Sequence, residues 1–191
     1  MSRWEPNARG RLEQAALELY RERGFDQTTV AEIAKRAGLT ERTFFRHYTD
    51  KREVLFGSGT QGGAELQALL VKTLADAPAG LTPIDTVAFA LEAAGTLMQE
   101  RRAAAQQRHA IVSGHAELRE RELIKLAALS AAIGEALRAR GVAEPAASLA
   151  AETGIAVFRI SFERWLAATG SPELATVIHE SFQELKAVAA Q

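Results

Sequence analysis

Cysteine is absent from this 191-residue chain, which excludes disulfides and thiolate metal sites and suits a reducing cytoplasm. No uninterrupted apolar run reaches the roughly 18 residues of a membrane span. The opening Met1-Ser2-Arg3-Trp4-Glu5-Pro6 lacks a signal peptide's apolar core and reads as a loose arm. Charge of one sign is also missing: the formal net charge is −1, so no broad basic surface can drive nucleic-acid binding. The four histidines, His47, His109, His115 and His179, are scattered, without an H-x-x-x-H pair. Serines form no nucleophile elbow, so neither an enzyme nor a metal or other cofactor is expected. Gly57-Ser58-Gly59-Thr60-Gln61-Gly62 fits the G-x-G-x-x-G template, but that template needs a preceding strand and a βαβ unit. Here a capped helix precedes it, and dinucleotide binding is set aside.

What remains is 47% apolar and rich in alanine and leucine, which predicts an all-α fold able to bury a core. Thr29 with Glu32 is a capping box that starts a helix, and Val30, Ile33, Ala34 and Ala37 form its buried stripe. Gly38 ends it in the left-handed conformation, Leu39 plugs the turn, and Thr40 is the N-cap of a second short helix. This is the form of a helix-turn-helix.

The second helix has Phe44 and Tyr48 on its apolar side, with Phe45 partly beside them. Its outward positions are Glu41, Arg42, Thr43, Arg46 and His47, donors and acceptors on a rod that fits the major groove. Arg42 and Thr43 are the candidate base contacts. Thr28, Thr29, Arg46, His47 and Lys51 are the candidate phosphate contacts, and Thr40 and Tyr48 complete the DNA-facing set. Arg3 and Arg9 are further positions from which an arm could touch DNA. Residues 1–56 hold 11 Lys/Arg and 9 Asp/Glu, net +2, against −3 for the rest, so affinity must come from placed contacts.

Upstream, Leu12, Ala15, Ala16, Leu19 and Tyr20 make the stripe of an amphipathic helix that stops at Gly24-Phe25. Downstream, Asp50-Lys51-Arg52-Glu53 is an acidic capping box opening a helix through Val54, Leu55 and Phe56. Helix, Gly-Phe, Thr-Thr-Val, helix-turn-helix, aromatic and capped basic start, in that order over residues 9–56, resemble the TetR family of bacterial transcription regulators. The resemblance implies a DNA-binding domain over 1–52 and a helical ligand-binding and dimerisation domain over 53–191. It also implies phosphate contacts at His47 and Lys51. Many members carry glycine at Arg42 and tyrosine at Phe45, where the tyrosine hydroxyl holds a phosphate. Phe45 lacks that hydroxyl, Arg42 adds a donor suited to guanine, and Tyr48 is the candidate replacement hydroxyl.

Glycines 57, 59, 62 and 63 each cost on the order of 1 kcal/mol inside a helix, so they mark close packing, a break or a pliable link. Further helices are expected over about 64–75, 82–99, 100–112, 117–140, 145–169 and 171–189, the last opened by Ser171-Pro172. In the penultimate one, Ile155, Phe158, Phe162 and Trp165 form one face, and Leu149, Thr153, Ala156 and Ile160 a second. The last has a stripe of Leu174, Val177, Ile178, Phe182, Leu185 and Val188. Two such helices from each subunit would make a four-helix bundle. Leu149, Ala156, Ile160, Leu174, Ile178, Phe182 and Leu185 are therefore the candidate homodimer contacts, and a homodimer would read a palindromic operator.

The family resemblance further implies an apolar effector cavity, with Phe89, Leu97, Met98, Ile111, Leu126, Phe158, Phe162 and Trp165 as candidate lining. Arg101, Arg102, Arg108, Arg119 and Arg121 could form a mouth for the phosphates of an acyl-CoA-like effector. Glu117–Glu122 and Arg164-Trp165 look like the subgroup of regulators with such effectors. The resulting expectation is a ligand-released repressor. The alternatives are an activator, or an all-helical small-molecule carrier without DNA binding.

Overall fold

The computed structural model describes residues 7–57 and 63–190, and the elements within them are helical. They are α1 (Ala8–Arg23), α2 (Val30–Arg36), α3 (Glu41–His47), the single turn α4 (Glu53–Phe56), α5 (Gly63–Asp76), α6 (Pro83–Met98), a 3₁₀ turn (Gln99–Arg101), α7 (Arg102–Gly114), α8 (Ala116–Ala139), α9 (Ala146–Ala167) and α10 (Leu174–Ala189). The described residues divide into two compact units. A head unit takes those up to Gly63 together with Ala103–Glu122, and a body unit takes Ala64–Arg102 and Leu123 onward. Among the described residues, no helix is long and apolar enough to cross a membrane.

The head core explains why a cut at 52/53 does not describe the packing. Leu12, Ala16, Leu19 and Tyr20 of α1 bury against Phe25, Ile33, Ala34, Phe44 and Tyr48. Val54, Leu55 and Phe56 enter the same core, and so do Val112 and Leu118. Arg108 secures α7 within the head: its buried guanidinium donates to the Leu55 carbonyl at 2.7 Å, pairs with Glu122 at 2.9 Å and covers the Phe56 ring. Arg121 holds Glu53 through two hydrogen bonds of 2.6 and 2.9 Å. The expected box at the start of α4 is half made. Asp50 accepts from the Glu53 amide at 3.1 Å, but the Glu53 carboxylate is taken by Arg121.

The core of the body is formed by α6, α9 and α10. Val87, Leu91, Ala94, Ile155, Phe158, Trp165, Leu174, Ile178 and Phe182 are buried there. α6 opens as expected, with the Thr82 side chain capping the Asp85 amide and Pro83 in its first turn. α10 starts later than Ser171-Pro172 suggests, because Gln99 supplies its cap from outside. The Gln99 amide oxygen accepts from the Leu174 N–H at 2.9 Å, and its NH₂ donates to the Pro172 carbonyl at 3.2 Å. Arg140 closes α5, donating to the carbonyls of Leu74, Ala75, Ala77 and Pro78. Arg102 does the same after α9, donating to the carbonyls of Trp165, Ala168 and Gly170.

Candidate nucleic-acid interface

The helix-turn-helix is held by local chemistry at each end. The Thr29 hydroxyl accepts from the Glu32 amide at 3.2 Å, while the Glu32 carboxylate accepts from the Thr29 amide at 2.9 Å. At the other end of α2, Leu39 N–H donates to the Ala34 carbonyl at 2.8 Å and Gly38 N–H to that of Lys35 at 3.0 Å, a Schellman close. Gly38 has φ +65°, and a Cβ there would lie 2.7 Å from the Arg11 guanidinium, which donates to the Ala37 carbonyl. Thr40 caps α3 at the Thr43 amide, and the wholly buried Phe44 anchors it.

With that anchor, Thr29, Thr40, Glu41, Arg42 and Arg46 are exposed. Thr43 is half-buried, with its hydroxyl 3.0 Å from that of Thr40. Thr40, Arg42, Thr43, Phe45 and Arg46 line one open concavity. Phe45 is the residue that sequence reasoning left off this face. It is 55% exposed, because one residue beyond Phe44 a helix has turned by about 100°. That offset is the signal which could have found it.

Three candidates point elsewhere. Thr28 is buried and its hydroxyl donates to the Gly24 carbonyl at 2.8 Å, so it caps the approach to α2 instead of meeting phosphate. Tyr48 is buried; its hydroxyl donates to buried Glu13 at 2.5 Å and accepts from Arg9 at 3.2 Å. Burial, and next the Glu13 carboxylate, push that hydroxyl above the ordinary phenol range. It is thus not the replacement phosphate donor. The Arg9 guanidinium also lies over the Tyr48 ring, which ties α1 to the end of α3. Packing on Tyr48 accounts for Gly57 as well, since a Cβ there would meet its ring at 2.5 Å. Gly59 and Gly62, the other candidate link residues, lie outside the described residues.

Lys51 is the third. Its ammonium donates to the carbonyls of Phe25, Asp26 and Thr28 at 2.8, 3.2 and 3.0 Å and sits over the Phe25 ring. It closes the α1–α2 loop. Lys51→Ala is expected to lower head stability by about 1–3 kcal/mol through lost charged hydrogen bonds. The slope of DNA affinity against salt should stay unchanged. An unaltered melting temperature with a shallower slope would return Lys51 to the phosphate set.

His47 is half-buried, and its Nε2 is itself buried without a hydrogen-bond partner among the described residues. Burial first, then Arg46 and Arg9, pull its pKa below the ordinary imidazole value.

The body separates the remaining candidates. Leu149 and Ile160 are 63% and 48% exposed, and Ala156 is exposed on the same side of α9. Leu174, Ile178 and Phe182 are fully buried against α6 and α9, and Leu185 is half-buried, so most of the α10 stripe belongs to the chain's own core. Of the candidate cavity lining, Trp165 is wholly buried, with its ring N–H donating to the Pro172 carbonyl at 3.1 Å. Its ring follows those of Phe158 and Phe162 at centroid spacings of 5.9 and 5.6 Å, a packed aromatic row. Ile111 packs on the head core. Phe89 and Leu97 are exposed, and Met98 and Leu126 half-buried. Of the candidate arginine mouth, Arg102, Arg108, Arg119 and Arg121 donate to carbonyls and carboxylates of their own units.

A sequence profile described as "Bacterial regulatory proteins, tetR family" matches residues 13–56, from within α1 to the end of α4. Residues 13–56 carry the TetR-family DNA-binding domain. Two relatives match part of the chain. The chain is 37% identical over 59 residues to the protein of Mycobacterium tuberculosis named for mycofactocin biosynthesis regulation, MftR, covering 31% of this chain and 30% of that one. It is 38% identical over 86 residues to the HTH-type transcriptional regulator TcmR of Streptomyces glaucescens, covering 44% and 36%. The matches thus span about a third of these relatives' length. The fold likeness extends further: the TetR-family repressor FadR of Thermus thermophilus, crystallised with lauroyl-CoA, is 27% identical with a TM-score of 0.59. That match covers 93% of this chain and 92% of FadR. TetR-family proteins are regulators and not enzymes.

Proposed function

We propose that this chain is a cytoplasmic, ligand-released repressor of the TetR family that binds a palindromic operator as a homodimer. One observation carries the DNA reading. Head cations such as Arg11, Arg23, Arg36, Lys51 and Arg52 are tied to carbonyls or carboxylates of the head itself. Arg42 and Arg46 make no hydrogen bond or ion pair among the described residues, and they share one exposed concavity on α3. A basic pair left unpartnered on a short, capped helix is suited to base edges and phosphates. Thr29, Thr40, Glu41 and Thr43 accompany the pair as polar groups of the helix-turn-helix, and His47 follows Arg46 on the same helix.

Dimerisation is assigned to the outer face of α9, where Leu149, Ala156 and Ile160 repeat at three-to-four-residue multiples and stand in water. A second copy of the same face is the occupant, since a twofold operator demands a twofold protein. The effector is assigned to the body as an apolar molecule against Phe89, Leu97, Met98, Leu126 and Phe162. The likeness to a FadR crystallised with lauroyl-CoA makes fatty acyl-CoA the first class to test. Release follows if the effector binds the DNA-free state more tightly than the bound one.

Selection from random duplex DNA, followed by titration with lauroyl-CoA, tests all three parts. The expected result is enrichment of an inverted repeat, bound by two chains and released by micromolar lauroyl-CoA. Enrichment of a single asymmetric site by one chain would overturn the dimer. An inverted repeat indifferent to acyl-CoA would overturn that effector class. No enrichment would overturn the regulator.

A further inference from the structure

Phe45 is exposed but not loose. Its ring meets that of Phe44 edge-on, with centroids 5.5 Å apart and planes at 81°, and Phe44 is wholly buried. The ring is therefore held in place before any partner arrives, on the surface lined also by Thr40, Arg42, Thr43 and Arg46. An apolar ring gains nothing from a phosphate oxygen, and phosphates are better served by Arg46 one position on. In the major groove the apolar group offered by a base pair is the 5-methyl of thymine.

Resting on the DNA-binding reading above, we propose that Phe45 reads the 5-methyl group of a thymine, beside the base read by Arg42. Arg42 and Phe45 are three apart on one helix, so their side chains are neighbours and reach adjacent base pairs. Specificity at the thymine then comes from excluding water between ring and methyl, not from a donor–acceptor pair. Arg42 supplies the complementary polar contact, for which guanine presents two acceptors.

The test uses the full chain and the duplex selected above, with each thymine replaced in turn by uracil, which keeps its pairing and lacks the methyl. At one position in each half-site, uracil is expected to weaken binding about fourfold, the effect of leaving one methyl group unburied. Phe45→Ala should bind the thymine and uracil duplexes alike, and should melt as the parent does because its ring is mostly in water. A uracil series without a weakened position overturns the proposal. So does a Phe45→Ala protein that still discriminates, or discrimination that instead disappears with Thr43→Ser. If no duplex is selected at all, the DNA-binding reading fails and this inference falls with it, an outcome distinct from binding that ignores the methyl.

Discussion

Arg42→Ala is expected to weaken operator binding by about 1–3 kcal/mol per half-site and to relax base preference at one position in each. The expectation rests on the exposure of Arg42 and on its lack of an internal partner, so its removal leaves the head fold intact. Arg46→Ala should behave differently. A phosphate contact weakens every sequence by a similar factor and makes affinity less steep in salt. Competition against single-base variants of the selected duplex separates the two. Unchanged affinity and unchanged preference for Arg42→Ala would show that another face of the head meets DNA.

Trp165→Ala is expected to lower body stability by about 3–5 kcal/mol, the usual result of emptying a large aromatic site in a core. The indole is wholly buried, its N–H satisfies the Pro172 carbonyl, and the Arg102 guanidinium lies 5.7 Å from its ring. Trp165→Phe keeps most of the volume and leaves the Pro172 carbonyl with only its Gln99 donor, so a smaller loss of about 1–2 kcal/mol is expected. Urea unfolding gives both values. A Trp165→Ala protein as stable as the parent, yet deaf to effector, would make the indole a cavity wall instead of core.

The parts of the head that could be read from sequence are those whose causes lie within a few residues. Thr29 with Glu32, Gly38 with Leu39, and Thr40 with Thr43 are local hydrogen-bond units, and each forms as its spacing implies. The all-helical body was equally legible from its periodicity. The unread parts depend on distant partners. Tyr48 finds Glu13 across 35 positions, and Lys51 finds three carbonyls at 23 to 26. A hydroxyl or an ammonium on a polar stretch gives no local sign that it will turn inward. The same holds for Gln99, which sets the start of α10 from 75 residues away. On α10 the stripe was correctly placed but its partner was not: Leu174, Ile178 and Phe182 are covered by α6 and α9 of the same chain. Periodicity shows that a face is buried, not what buries it.

The most direct test of the DNA-reading face is a DNase protection experiment. Purified chain and its Arg42→Ala, Arg46→Ala double variant would be compared on DNA flanking the gene and on the selected duplex, near physiological salt. The expected result is a protected inverted repeat for the parent and none for the double variant at the same concentration, with both proteins melting alike. Equal protection by the two proteins would contradict the assignment of α3 as the reading helix.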